Sequence, residues 1–99
     1  MKDEFFKTGY EIIKNIEKTS EALYQRKVEA DGMLQIVVKQ IMLFSQLLPE
    51  EERAFDAEKL QNWASSNQLL MDAIEMKDIV LIADVLTFEV EPAIKAFVD

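Results

Sequence analysis

The stretch IEMKDIVLIADVLTFEVEPAIKAFV, residues 74–98, decides the fold class. A helical rhythm arrives through Leu70 and Ile74, and Lys77 then falls where the free carbonyls of a helix C-terminus favour a cation. Asp78 follows at once, with a carboxylate suited to accept from the free amides of a new helix. The pair Lys77-Asp78 therefore predicts an interhelix turn. In the helix beyond it, Ile79, Ile82, Leu86, Val90 and Phe97 lie near one line, and Leu81, Val85 and Phe88 widen it. Asp84, Thr87, Glu91 and Lys95 form the opposite line, read as a solvated face. An apolar arc this wide predicts contact with more than one neighbouring helix. Pro92 has no amide for the carbonyl of Phe88, at a cost of about 3 kcal/mol in a regular helix, and predicts a kink or a restart with Pro92 in a first turn.

Working back from that helix, Leu60, Trp63, Ala64, Leu70 and Ile74 carry a third helical stripe, with Asn67 on the same line. Trp63 at core spacing is expected to pack, its indole N–H meeting a carbonyl or water near the edge. Asn67 is either a buried amide that fixes the register of a helix pair or a solvated residue at the rim. Upstream, Pro49 is expected to end the second helix. Glu50, Glu51 and Glu52 then read as a helix start, because free amides favour negative charge, rather than as a calcium loop with spaced oxygen ligands. The third helix begins at Glu50 or after Asp56.

The second helix, roughly Glu29 to Leu48, is apolar almost all round, and Lys39 is the only charge between Met33 and Leu48. In a small domain each helix keeps one side toward solvent, so this excess predicts self-association or a partner, against the blander reading of Val38 and Met42 as scattered exposed apolar residues. Residues 25–32, QRKVEADG, interrupt the rhythm. Arg26 and Lys27 suit a helix C-terminus, Asp31 a new cap, and Gly32 permits the break, which places a turn here unless one long helix bends. The first helix aligns Phe6, Gly9, Ile13, Ile16 and Leu23, with Ile12 beside them and Thr19 and Ser20 interrupting the apolar surface. Phe5, Phe6 and Tyr10 are expected to plug one end of a bundle.

Ninety-nine residues make one domain, residues 1–99, large enough for a single core. Two glycines and two prolines are few for the tight turns of an all-β fold. A net charge of −8 opposes nucleic acid and anionic membrane surfaces and favours protein partners. No cysteine is present, which removes disulfides and thiol chemistry and fits a reducing cytoplasm. The acidic N-terminus, MKDEFFKTGY, lacks the form of a secretory signal, and no run reaches the roughly 20 apolar residues of a bilayer crossing. Without histidine, the usual proton shuttle and zinc ligand are missing, and no serine has an evident base. Asp84, Glu89 and Glu91 are the nearest carboxylate set, and a solvated helix face accounts for them. No catalytic, metal or cofactor-binding residue is assigned, and no cofactor is expected.

The segment KDIVLIADVLTFEVEPAI resembles a pattern of short uncharacterised helical-bundle proteins of Gram-positive bacteria, on Lys77, Asp78, Ala83, Asp84, Leu86, Glu89 and Pro92. The resemblance covers residues 77–94 and implies a helical bundle without a known activity. Together these readings predict an all-α, antiparallel up-and-down four-helix bundle. The expected function is a non-enzymatic protein–protein interaction module, an adaptor or chaperone-like protein offering an apolar groove to a partner helix. The rivals are a homodimeric structural bundle and, behind it, a carboxylate-based enzyme.

Overall fold

Two turns of the same chemistry shape the chain. In the computed structural model, which describes residues 2–51 and 57–99, α1 (Lys2–Tyr24) ends where Arg26 takes a left-handed backbone, φ 53°. The amides of Arg26 and Lys27 donate back to the carbonyls of Leu23 and Ala22 at 3.1 and 2.9 Å, satisfying two carbonyls the helix end would leave free. The break thus sits at Arg26, whereas Gly32 lies inside the next helix, α2 (Ala30–Glu51), and Asp31 falls in its first turn rather than at its cap. The second turn repeats the device. Helix α3 (Ala57–Met76) ends on Lys77, φ 58°, whose amide donates to Ile74, while that of Asp78 donates to Ala73. Asp78 then caps α4 (Ile79–Val85), its carboxylate accepting from the Leu81 amide at 3.0 Å.

Beyond α4 the last helix widens into a π segment, Leu86–Val90, before α5 (Glu91–Val98) closes the chain with Pro92 in its first turn. The sequence leaves a kink or a restart open at Pro92; Pro92 does fall in the first turn of α5, but the backbone stays helical through Val90 and Glu91, and the π segment before it is an additional finding. Its wide turn is closed by the Glu91 amide donating to Leu86. Ser66, buried in α3, places its hydroxyl 3.1 Å from the carbonyl of Glu89 and 2.6 Å from that of Asn62, so a side chain supports the backbone where the ladder changes pitch.

All described residues outside the turns are helical, in four helices when α4, the π segment and α5 are taken as one rod. Helix α1 lies against α2 on one side and the last rod on the other, and α3 packs on that rod. Among the described residues the backbone of α2 comes close only to that of α1. Contact between α2 and α3 is left to side chains: Phe44 meets Trp63 edge to face, and the indole N–H of Trp63 donates to the Ser45 hydroxyl at 3.0 Å. Gly9 lets α1 lie close to α5 and α2: a Cβ there would fall 2.6 Å from Cγ1 of Val98 and 3.2 Å from the Phe44 ring, so those side chains would have to shift.

The core is built from Ile12, Ile16, Val37, Phe44, Leu70, Leu86, Val90 and Ile94, all fully or almost fully buried. Several expected positions shift. On α1 it is Phe5 that enters the core, at 2% exposure, while Phe6 stays at the surface. On α3 the inward line is Trp63, Ser66, Leu70 and Ala73, and Ala64 faces out. Ile79 and Phe88 of the last rod are exposed rather than core. On α1 the cause is plain: Phe5 and Phe6 lie about 100° apart round the helix, and the neighbouring helices choose between the two.

Pro49 does not end α2, which runs on to Glu51. A proline in a last turn forfeits one intrahelical bond, and buried Phe44 and Leu48 hold the helix past the defect. Glu50 and Glu51 therefore close α2 instead of opening α3, and the choice between Glu50 and a start after Asp56 goes to the latter. Glu52 and the rest of residues 52–56 lie outside the described residues.

Candidate docking cleft

The open side between α2 and α3 forms a cleft of about 480 Å³. Val38, Ile41 and Met42 of α2 face Leu70 and Met71 of α3 across it, with Ser45, Gln46 and Asn67 supplying the polar atoms. These positions recur at three- and four-residue spacing, so each helix gives the cleft one stripe. Ile41 and Leu70 belong to the buried floor. Met42 and Met71 stand at the rim, 60% and 52% exposed. Methionine is unbranched and polarisable, a side chain that adapts to varied apolar surfaces. Asn67, which the sequence placed either in a helix interface or at the rim, is half-buried, and its Oδ1 is shielded from solvent without a donor among the described residues. A buried carbonyl oxygen left so costs free energy until a donor arrives. Glu75, one turn beyond Met71 on the same line, puts an acid next to the apolar lining.

The second helix carries more apolar surface than the fold consumes. Ile36, Met42 and Leu43 are all exposed, whereas Val38 is half-buried. The sequence pointed to this surplus and to its helix; it did not point to Met71, whose place opposite Met42 depends on how α3 is turned.

A polar seam separates α1 from the last rod. The line Asp84, Thr87, Glu91 and Lys95 is not a freely solvated face: the Tyr24 hydroxyl donates to Asp84, and the Glu91 side chain is 13% exposed. The hydrogen bond to Asp84 raises the Tyr24 pKa, with burial and the Asp84 charge adding to it. Burial pushes the Glu91 carboxyl above the usual glutamate range; Lys95, 3.8 Å away, opposes the shift, and Glu17 of α1 adds to it by charge and hydrogen bonding. Ser20 borders the same seam, 4% exposed, with no partner for its hydroxyl among the described residues. Asp84, Glu89 and Glu91 do not converge, and among the described residues no group of three such side chains is placed to hold a metal ion. No described helix is long and apolar enough to cross a membrane.

The raised Glu91 pKa has a sign that can be tested. The folded state holds the proton more tightly than the unfolded one, so stability is lost as pH rises through the folded pKa and is regained on acidification toward the ordinary value of 4.5. Glu91→Gln is therefore expected to raise stability at pH 7 and to flatten stability against pH across the interval above 4.5, measured by urea titration at several pH values. A steeper dependence in the variant would contradict the burial of this carboxyl.

Residues 4–99 match the family described as Domain of unknown function (DUF8042). The chain belongs to that family. No curated protein and no solved structure matches it.

Proposed function

We propose that this DUF8042 member is a non-enzymatic interaction module, an adaptor or chaperone-like protein whose α2–α3 cleft takes the apolar face of a helix from a partner protein. The observation that carries the reading is the cleft itself: among the described residues α2 and α3 meet through side chains, and Met42 and Met71 stand at the rim of the apolar floor between them. A net charge of −8 favours a partner helix with basic residues beside its apolar face. The orphaned Asn67 oxygen would accept from a donor on that helix. The absence of histidine and cysteine supports a binding role over catalysis, and the cysteine-free sequence supports a reducing, cytoplasmic setting. The arrangement we assign is the up-and-down antiparallel bundle, supported by the short turns that join α1 to α2 and α3 to α4.

The test compares proteins captured from native cytosol by the wild-type chain with those captured by Met42→Glu/Met71→Glu. A charge on each rim methionine is expected to abolish a specific capture while leaving the fold intact, since both residues are exposed. A control charge at Phe88, exposed but outside the cleft, should leave capture unchanged. Equal capture by all three chains would remove the cleft from the account. Exposed Ile36 and Leu43 favour a second reading, a homodimer through α2. Sedimentation across a concentration range decides it, because a strict monomer at high concentration ends that reading.

A further inference from the structure

The end of the molecule formed by the two helix turns holds another pocket, of about 340 Å³. Leu23 of α1, Leu34 of α2 and Ile82 of α4 give it apolar walls, and Arg26, Lys27 and Lys77 also line it. In a chain with 11 basic and 19 acidic residues, three cations around one pocket are a local inversion of the overall charge. Asp31 is the single acid among the lining residues. None of the three cationic head groups is paired with a carboxylate among the described residues.

Backbone conformation adds an independent observation. Among the described residues, Arg26 and Lys77 are the two non-glycine residues with positive φ, at 53° and 58°. Glycine is the usual residue at this point after a helix, because a Cβ is crowded there. Both turns instead carry a long basic side chain in the harder conformation, and both border the same pocket. Val28, which also lines the pocket, is 98% exposed.

We propose that this pocket binds an apolar anion, a carboxylate or phosphate head on a short hydrocarbon tail, with the tail against Leu23, Leu34 and Ile82 and the head paired to Arg26, Lys27 and Lys77. A neutral apolar ligand would leave three charges unused, and a bare anion would leave the walls uncovered. A molecule with both parts covers the walls and meets the cations at the exposed mouth, where Arg26, Lys27 and Lys77 lie. Guanidinium and ammonium groups are the natural donors to either head, and a pocket of this size suits a small ligand. The site is distinct from the α2–α3 cleft and does not depend on it.

The test titrates decanoate, decyl phosphate, decanol and inorganic phosphate, the amphiphiles below their micelle concentrations, into the isotope-labelled full chain. Amide shifts read the site. Decanoate or decyl phosphate is expected to give saturable shifts at residues 23–34 and 74–82, and the tighter of the two names the head group. Lys77→Gly removes one charge while easing the backbone, so the variant is expected to melt no lower than the wild type and to bind the anion at least ten-fold more weakly. A Lys77 that served the turn alone would leave binding untouched. The proposal is overturned by no saturable shift with either charged amphiphile, by shifts centred on the α2–α3 cleft, or by wild-type affinity in Lys77→Gly. Inorganic phosphate or decanol binding as tightly as the charged amphiphiles would overturn it equally.

Discussion

Phe44→Ala is expected to destabilise the chain by about 3 to 5 kcal/mol, the range for removing a buried aromatic ring. Phe44 is fully buried on α2 and touches rings from three other helices. It stacks on Phe5 of α1 at 4.7 Å between centroids, meets Trp63 of α3 at 5.3 Å and lies 6.0 Å from Phe97 of α5. No small side chain can reach those rings at once, so the cavity cannot collapse without moving helices. The loss is a large fraction of the roughly 5 to 15 kcal/mol that holds a typical domain folded. Among the described residues the backbones of α2 and α3 do not approach one another; Phe44 links the two helices through Trp63, and its removal should also widen the cleft beside it. Denaturant titration followed by circular dichroism measures the first effect. The emission of Trp63, the single tryptophan, measures the second. An unchanged midpoint and an unchanged emission would mean that the ring cluster does not join the helices.

Local chemistry was legible and rotation was not. The Lys77-Asp78 turn can be read because a carboxylate next to a helix start has one favourable use, and the Asp78 cap fulfils it. The sequence puts Phe6 rather than Phe5 on the core line, because adjacent positions on one helix are equally apolar and only the place of Phe44 and Phe97 decides which turns inward. The same holds for the cleft: an α2 that is apolar all round announces a surplus without saying which stripe stays open. Pro49 misled because a backbone rule was applied without the packing of Phe44 and Leu48 that overrides it. The seam on Asp84 and Glu91 was misread as solvated since its partners, Tyr24 and Glu17, lie on a helix far away in sequence. Arg26 and Lys77 were each seen as a helix-end cation. That they border one pocket depends on two turns meeting at the same end, which no local pattern encodes.

Leu86→Ala is expected to cost about 2 to 5 kcal/mol, and its position makes the result more informative than another core truncation. Leu86 is fully buried at the point where α4 passes into the π segment, and its carbonyl accepts from the Glu91 amide in the widened turn. A π turn has poorer intrinsic geometry than an α turn, so packing must hold it. Here that packing comes from Leu86 and Val90, whereas Phe88 between them is 67% exposed. Leu86→Met, which nearly conserves volume, should cost less than about 1.5 kcal/mol, and Phe88→Ala should stay within about 0.5 kcal/mol of the wild type. Measured together by denaturant titration, the three variants separate two accounts of the last helix. If the π segment is held by its buried side, the order of losses is Leu86→Ala, then Leu86→Met, then Phe88→Ala. A large loss at Phe88 with a small one at Leu86 would turn the helix by half a revolution and place the apolar line where the sequence alone had widened it.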